Sequence, residues 1–97
     1  MLFHITHHHD ETTCPAHDKD AGDASFSAVL ATLEANVEQV VGAWVDPPGH
    51  DFFFVVEADD AAKIFAGLWP IIPAGTAQVR PVNSLQAALK SADDLRS

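Results

Sequence analysis

Apolar residues recur with two different periods in the first half of this chain. Leu2 to His9 opens with apolar and β-favouring residues, which predicts a first strand that ends among histidines. Asp10 to Gly22 holds few apolar residues and predicts a long loop. A first helix is predicted from Asp23 or Ser25, each of which could cap it. Its apolar residues recur at helical spacing and are Phe26, Val29, Leu30, Leu33 and Val37.

The second half of the chain predicts a hairpin, a second helix, a closing strand and a terminal helix. The turn of the hairpin is Asp46-Pro47-Pro48-Gly49, whose prolines and glycine favour a chain reversal. The predicted segments are the strands 40–45 and 52–57, a helix that begins at Asp59 or Asp60 and ends at Trp69-Pro70, the strand 76–82, and a helix with Asn83 and Gln86 as a capping box.

This βαββαβ order with a C-terminal helix predicts one α+β domain of the ferredoxin-like type over residues 1–97. Right-handed crossovers give the strand order 4-1-3-2, with both main helices on one face of an antiparallel sheet. The two-residue period assigns each side chain to a face. The expected helix side holds Phe3, Ile5, Val41, Ala43, Val45, Phe52, Phe54, Val56, Ala77 and Val79. The opposite face is expected to hold His4, Thr6, Trp44, Phe53, Val55, Glu57, Gln78 and Arg80.

The opposite face of the predicted sheet mixes large apolar and polar residues. Left in water, it would expose Trp44, Phe53 and Val55. A domain of this length also buries only about 60–65% of its unfolded surface and gains from association. We therefore expect a homodimer whose sheets pack face to face into a dimeric α+β barrel.

Charge and composition narrow the partners of the protein. The chain has 97 residues, with 5 Lys+Arg against 14 Asp+Glu and a formal charge of −9. This charge opposes binding to nucleic acid or to an anionic membrane, and no apolar run nears the ~20 residues of a membrane span. The single cysteine, Cys14, permits no internal disulfide, so we expect a cytoplasmic protein.

Two segments of the second half carry strand and helix patterning of a known kind. Residues 51–65 read DFFFVVEADDAAKIF, and residues 75–82 read GTAQVRPV. Over roughly residues 40–90 the chain resembles the small bacterial proteins of the DUF3303 type, of the dimeric α+β barrel superfamily. That superfamily includes cofactor-free monooxygenases, haem-handling enzymes and lactone or dehalogenating enzymes. The resemblance thus implies the fold and the dimer more than a reaction, and it does not extend to the histidines before position 18.

Histidines near the end of the first strand form a candidate metal site. His7 and His9 are an H-x-H pair, which a strand places on one face ~7 Å apart. In the predicted strand order, His50 approaches the same end of the sheet. Cys14 and His17 lie in the following loop and are reserve ligands, with Asp10 and Glu11 as carboxylate options. The competing interpretation is a solvated strand end that binds metal only adventitiously.

A second candidate site lies on the opposite face of the sheet. We expect His4 to lie near Glu57 and Arg80, where the three could orient an acid–base histidine or bind an anionic substrate. The alternative is a satisfied polar cluster at the dimer seam.

Three functions are compatible with these residues. The first is a small enzyme that depends on a divalent transition metal and acts on a small molecule. Copper or iron would indicate an oxidoreductase, and zinc would indicate hydrolysis or hydration. The second is a metal-binding protein without turnover. The third is a metal-free small-molecule binder or cofactor-independent enzyme that uses His4, Glu57 and Arg80.

Overall fold

Four strands and four α-helices make up the computed structural model, which describes residues 1–97. In chain order they are β1 (Leu2–His8), α1 (Lys19–Gly22), a π-helical turn (Asp23–Ser27), α2 (Ala28–Asn36), β2 (Gln39–Asp46), β3 (Asp51–Glu57), α3 (Ala61–Gly67), a 3-10 helix (Trp69–Ala74), β4 (Thr76–Val82) and α4 (Leu85–Arg96).

The strands form one antiparallel sheet in the order β2-β3-β1-β4. This order is the predicted one, and the α+β, ferredoxin-like arrangement is confirmed. β1 lies in the interior of the sheet, where His7 pairs with Phe52 of β3 and with Ala77 of β4. The histidines that end β1 are therefore flanked by strands on both sides.

A single apolar core lies between the sheet and the helices. From the sheet it takes Ile5, Phe54 and Val56, all at most 2% exposed. The facing residues come from α2, α3 and the segments that follow them and include Val29, Leu33, Val37, Ile64, Leu68 and Ile71. The helices thus cover the centre of the sheet, and most of β2 and all of β4 stay exposed.

The predicted facing of Val41 in β2 is wrong. The pairing of β2 with β3 shifts between Val40 and Gly42, because a β-bulge inserts a residue there. Val40 consequently packs against the core, whereas Val41 is 53% exposed. The spacing of apolar residues does not reveal a bulge, so strict alternation predicts that Val41 lies on the helix side.

The first helix begins earlier than its apolar spacing predicts. Asp18 is its N-cap and accepts hydrogen bonds from the backbone N–H groups of Asp20 and Ala21. Residues 19–22, predicted as loop, are helical and lead through the π-helical turn into α2. Neither Asp23 nor Ser25 caps the helix. The loop after β1 therefore ends at Asp18, four residues sooner than expected.

The later helices follow their predicted positions with one change of cap. Asp60 caps α3 by accepting from Ala62 N, as predicted. Ser84, and not Asn83, caps α4, because its hydroxyl accepts from Ala87 N at 3.1 Å. β4 begins and ends at the predicted residues.

The terminal helix α4 projects away from the rest of the chain. The radius of gyration is 15.5 Å and the longest extent is 57 Å, whereas a compact chain of this length would have a radius of gyration of about 12.5 Å. Three leucines of α4, Leu85, Leu89 and Leu95, are 55–87% exposed. None of the helices is long and apolar enough to cross a membrane.

Candidate metal centre

Three side chains of types that can bind a metal converge at the end of β1. His9, Cys14 and His50 each direct one donor atom toward the others, and all three atoms lie within 4.8 Å of one another. His9 is buried, and Cys14 and His50 are partly buried. Two imidazoles and a thiol therefore share one small volume although up to 41 residues separate them in the sequence.

The alternation of β1 directs two histidines into the interior. His7 and His9 are 1% and 4% exposed, and their ring centroids lie 5.5 Å apart. Phe52 lies 5.7 Å from His7 and 5.9 Å from His9, measured between ring centroids. The H-x-H pair thus faces the helix side, as the two-residue period requires.

His50 reaches the site from the β2–β3 hairpin. Its backbone carbonyl accepts a hydrogen bond from His9 N at 3.2 Å, and the His9 and His50 ring centroids lie 5.1 Å apart. His50 is the only residue in the chain with a positive φ, and its value is 57°. This left-handed conformation costs about 1–2 kcal/mol for a residue with a Cβ atom. The hairpin therefore holds this imidazole in place at the expense of backbone strain.

A short turn after β1 positions Cys14. The Asp10 carboxylate accepts from Thr12 N at 2.8 Å and from Thr13 N at 3.1 Å, and the Asp10 carbonyl accepts from Cys14 N at 3.0 Å. The Thr12 hydroxyl also donates to the Asp10 carboxylate at 2.6 Å, and this bond, followed by those from Thr12 N and Thr13, lowers the pKa of Asp10. Asp10 thus builds the turn, which returns the thiol toward His9.

The other two expected metal ligands, His7 and His17, are not part of the convergent group. His7 Nε2 lies 3.2 Å from the carbonyl of Ile71. Because a carbonyl only accepts, Nε2 carries the proton and Nδ1 is left with a lone pair. His17 is exposed. The assignment of either residue as a ligand stays a prediction, whereas Cys14, expected as a reserve, lies beside His9 and His50.

Burial keeps the interior imidazoles neutral. Desolvation is the main reason that the pKa of His7 and that of His9 are lowered, and repulsion from neighbouring imidazoles adds to it. The Nδ1 atoms of both rings are buried and have no hydrogen-bond partner within the protein. A neutral imidazole with a free lone pair is the form that binds a metal.

An apolar cavity of about 330 Å³ adjoins the three donors. Besides His9, Cys14 and His50, its walls include Phe26, Val45, Pro47 and Phe52. Phe26 belongs to the π-helical turn, and its ring centroid lies 5.3 Å from that of His9. Such turns often occur at functional sites because they redirect one side chain within a helix.

Gly75 allows the chain to pass close to the end of β1. A Cβ atom at this position would lie 2.0 Å from the carbonyl oxygen of His8 and 2.9 Å from the Cα of His9. Both are backbone atoms, which cannot rotate away. A glycine is therefore needed for β4 to begin beside the histidines.

The residues of the second candidate site lie near one another on one face of the sheet but make their polar contacts elsewhere. Glu57 binds the N-terminal ammonium group of Met1, and the Arg80 guanidinium donates to the Gln78 carboxamide at 2.6 Å. His4 pairs across the sheet with Arg80 and Val55, whereas Glu57 pairs with Leu2. No hydrogen bond or ion pair joins His4, Glu57 and Arg80. Their shared role stays a prediction.

Comparison with known proteins identifies a family whose function is unknown. The sequence model of a family described as a domain of unknown function, DUF3303, matches residues 1–96. The chain therefore belongs to DUF3303, and the match includes the histidine-containing N-terminus. No curated protein matches it.

Proposed function

We propose that this DUF3303 protein binds a divalent transition metal through His9, Cys14 and His50. The observation that carries the proposal is the approach of these three donors to within 4.8 Å of one another. Burial supports it, since His9 is neutral and its Nδ1 atom has no partner. The strained backbone of His50 supports it as well, because such strain persists where a side chain must be held for a purpose.

The donor set favours copper or zinc over iron. A closed tetrahedral zinc site has N···N and N···S separations of about 3.3–3.6 Å, so small side-chain rotations would close the present group around an ion. A thiolate with two imidazoles suits zinc and copper, whereas isolated iron in enzymes is more often held by imidazole and carboxylate. We therefore expect one copper or zinc ion per chain.

Three protein ligands leave a coordination position for a small molecule. Catalytic zinc sites keep such a position for water or substrate, and the adjoining cavity provides room for it. This arrangement favours a metal-dependent enzyme over a closed storage site. A metal-dependent function is also favoured over the metal-free function of His4, Glu57 and Arg80, because Glu57 and Arg80 bond to other partners. A single cysteine that can form no internal disulfide agrees with a reducing compartment, so the proposal includes a cytoplasmic location.

Cobalt(II) titration of protein purified without a histidine tag tests the metal site. A thiolate-to-cobalt charge-transfer band should appear and saturate at one ion per chain. Cys14→Ser should abolish the band, and His9→Ala or His50→Ala should weaken binding by more than about 100-fold, since loss of groups that merely orient ligands already costs 10–100-fold. Affinity should also fall as the pH drops, because protons compete with the metal for its ligands, and the contribution of His9 should lie below pH 6.5 because burial lowers its pKa.

His17→Ala and His8→Ala are the matched controls. Both residues are exposed histidines of the same segment and lie outside the convergent group. Both variants should bind cobalt as the parent does. Absence of the charge-transfer band in the parent, or equal binding by Cys14→Ser, would exclude the site.

We propose in addition that the protein is a homodimer. The sheet face that points away from the helices exposes Trp44, which is 58% accessible. The planar footprint of this four-stranded face is only about 450 Å², at the small end against the ~800 Å² that each partner usually contributes. The projecting helix α4 would supply the remaining area.

The apolar stripe of α4 supports this role. Leu85, Leu89 and Leu95 lie within about three turns of one helix and are exposed in the isolated chain. Packing against a second copy would cover them. Light scattering should report about twice the chain mass, and Leu85→Ser with Leu89→Ser should shift the mass toward the monomer. A parent protein that stays monomeric at micromolar concentration would contradict the dimer.

A further inference from the structure

A second apolar depression lies next to the cavity beside the metal centre. This second cavity, of about 160 Å³, lies between α2 and β2. It shares three wall residues, Phe26, Val45 and Phe52, with the cavity at the metal centre. The two spaces are therefore neighbours, and we call them together the α2–β2 groove, whose polar end is formed by His9, Cys14 and His50.

The far half of the groove has only apolar walls. These walls are formed by Phe26, Val29, Leu30, Ala43, Trp44, Val45, Phe52 and Phe54. Leu30 is 41% exposed and Val45 is 52% exposed. Val29 and Phe54 belong to the core, whereas Leu30 and Val45 do not, so folding leaves an apolar strip beside the metal donors.

We propose that the α2–β2 groove binds a small amphiphile whose polar head coordinates the metal and whose unbranched apolar tail lies along β2. This inference rests on the proposed metal site and adds the class of ligand. The far half of the groove runs from Phe52 to Phe54 of β3, which pair with Val45 and Ala43 of β2, and this span is ~7 Å along the strands. A tail of about six carbons fits this length, and the two volumes together lie within the 300–1,000 Å³ typical of ligand sites.

The size of the groove argues for a small molecule as the occupant. An α-helix is about 10 Å across with its side chains, whereas the far half offers only about 160 Å³. The projecting helix α4 of a second copy therefore does not fit in it. The charged residues of the chain also lie elsewhere, since Asp46 at the mouth is the only charged side chain among the walls. A peptide with charged side chains would find no partner inside.

A series of straight-chain alkyl hydroxamates from acetohydroxamate to octanohydroxamate tests the inference. The head group is a metal chelator, so binding to the cobalt-loaded protein changes the cobalt absorption spectrum. Isothermal titration calorimetry provides a second signal and also reports binding to the metal-free protein. Each added methylene should tighten binding about two- to fourfold until the tail reaches about six carbons.

Ala43→Phe is the variant that should remove the dependence on tail length. Ala43 lines the far half of the groove only, and a phenyl group there would occupy it. The ratio of the dissociation constants of acetohydroxamate and octanohydroxamate should fall toward one. Ala31→Phe is the matched control, since Ala31 is an exposed alanine of α2 outside both cavities, and this variant should keep the ratio of the parent.

The outcomes separate this inference from the metal site. A cobalt–thiolate band without any dependence on tail length would leave the metal site and overturn the groove. Retention of the length dependence in Ala43→Phe would also overturn it, as would an equal dependence in metal-free protein. A loss of dimer mass on adding octanohydroxamate would mean that a second copy occupies the groove, and this too would overturn the proposal. Absence of the cobalt band would reject the metal site itself.

Discussion

Alternate residues of one strand place histidines in two different environments. On the helix side of β1, His7 and His9 are nearly inaccessible and neutral, and each has an Nδ1 atom without a partner. On the other side, His8 is exposed and its Nδ1 lies 2.7 Å from the Asp51 carboxylate. A histidine thus contacts a carboxylate at the surface at one position, and at the next it is a buried imidazole with an unpartnered ring nitrogen. Position relative to the pleat, and not the number of histidines, determines which chemistry is available.

His7→Ala should show the largest difference between the two sides. It removes a buried ring and leaves the Ile71 carbonyl without its donor, so we expect a loss of about 2–4 kcal/mol in the free energy of unfolding. His8→Ala should change it by no more than about 0.5 kcal/mol, because exposed ion pairs contribute little. Urea unfolding of metal-free protein at one fixed concentration measures both. Equal losses would contradict the distinction between the two faces.

The pH dependence of stability should also come from the helix side. The pKa values of His7 and His9 lie below 6.5 in the folded protein, whereas histidines of the unfolded chain titrate near 6.5. As the pH falls below about 6.5, the unfolded chain takes up protons that the folded chain resists, and stability decreases until the folded pKa values are reached.

Urea midpoints of metal-free protein at pH 7.5 and pH 5.5 measure this effect. The midpoint should be lower at pH 5.5, and His9→Phe should reduce the difference between the two pH values. His8→Ala should leave the difference intact. If the difference disappears in His8→Ala and survives in His9→Phe, the pH effect comes from the face opposite the helices and the prediction is wrong.

Substitution of His50 should separate stability from metal binding. His50→Gly removes the imidazole and also relieves the positive φ, whereas His50→Ala removes the imidazole and retains the strain. We expect the glycine variant to be more stable than the alanine variant by about 1 kcal/mol. Both should lose cobalt binding equally. Denaturant unfolding with cobalt titration checks the pair, and equal stability would indicate that the hairpin is not strained at His50.

The smallest effect is expected at the edge of the opposite face. Glu57→Gln removes the ion pair with the N-terminal ammonium group, in which the two side chains are 41% and 65% exposed. Stability should change by less than about 1 kcal/mol, because surface pairs of this kind are weak and screened by salt. A larger loss in thermal unfolding would show that the pair is more important than its exposure indicates.

The regular strands and helices were predictable because the spacing of apolar residues differs between the two kinds of element. The strand order, the hairpin and β4 follow from periods of two and from proline and glycine at the turns. The beginning of the first helix was not, since Lys19, Asp20 and Gly22 carry no apolar period and only the cap at Asp18 signals it. The bulge beside Val41 likewise depends on pairing with β3, which a single strand does not reveal.

The candidate site was predictable in part for the same reason. Strand geometry places His9 on the helix side and the strand order brings His50 to it, and both can be derived from sequence. The position of Cys14 depends on the turn at Asp10, whose signal is an aspartate followed by two threonines that it can cap. Asp10 is predicted only as a carboxylate option, whereas it acts as the cap of this turn. The preference of His7 for the Ile71 carbonyl could not be seen, because it depends on a contact 64 residues away.

The π-helical turn at Asp23–Ser27 sets the rotational phase of Lys19–Gly22 relative to α2. A π-turn corresponds to one residue more than an α-helix needs, so a deletion of one residue there would restore regular winding and rotate the preceding segment by about 100°. Lys19–Gly22 and the Cys14 turn would then swing around the helix axis, away from His9 and His50. Among DUF3303 sequences, a one-residue gap in this segment should therefore coincide with the loss of cysteine at the position of Cys14. The length of a helix would in this way decide whether a thiol can join two imidazoles.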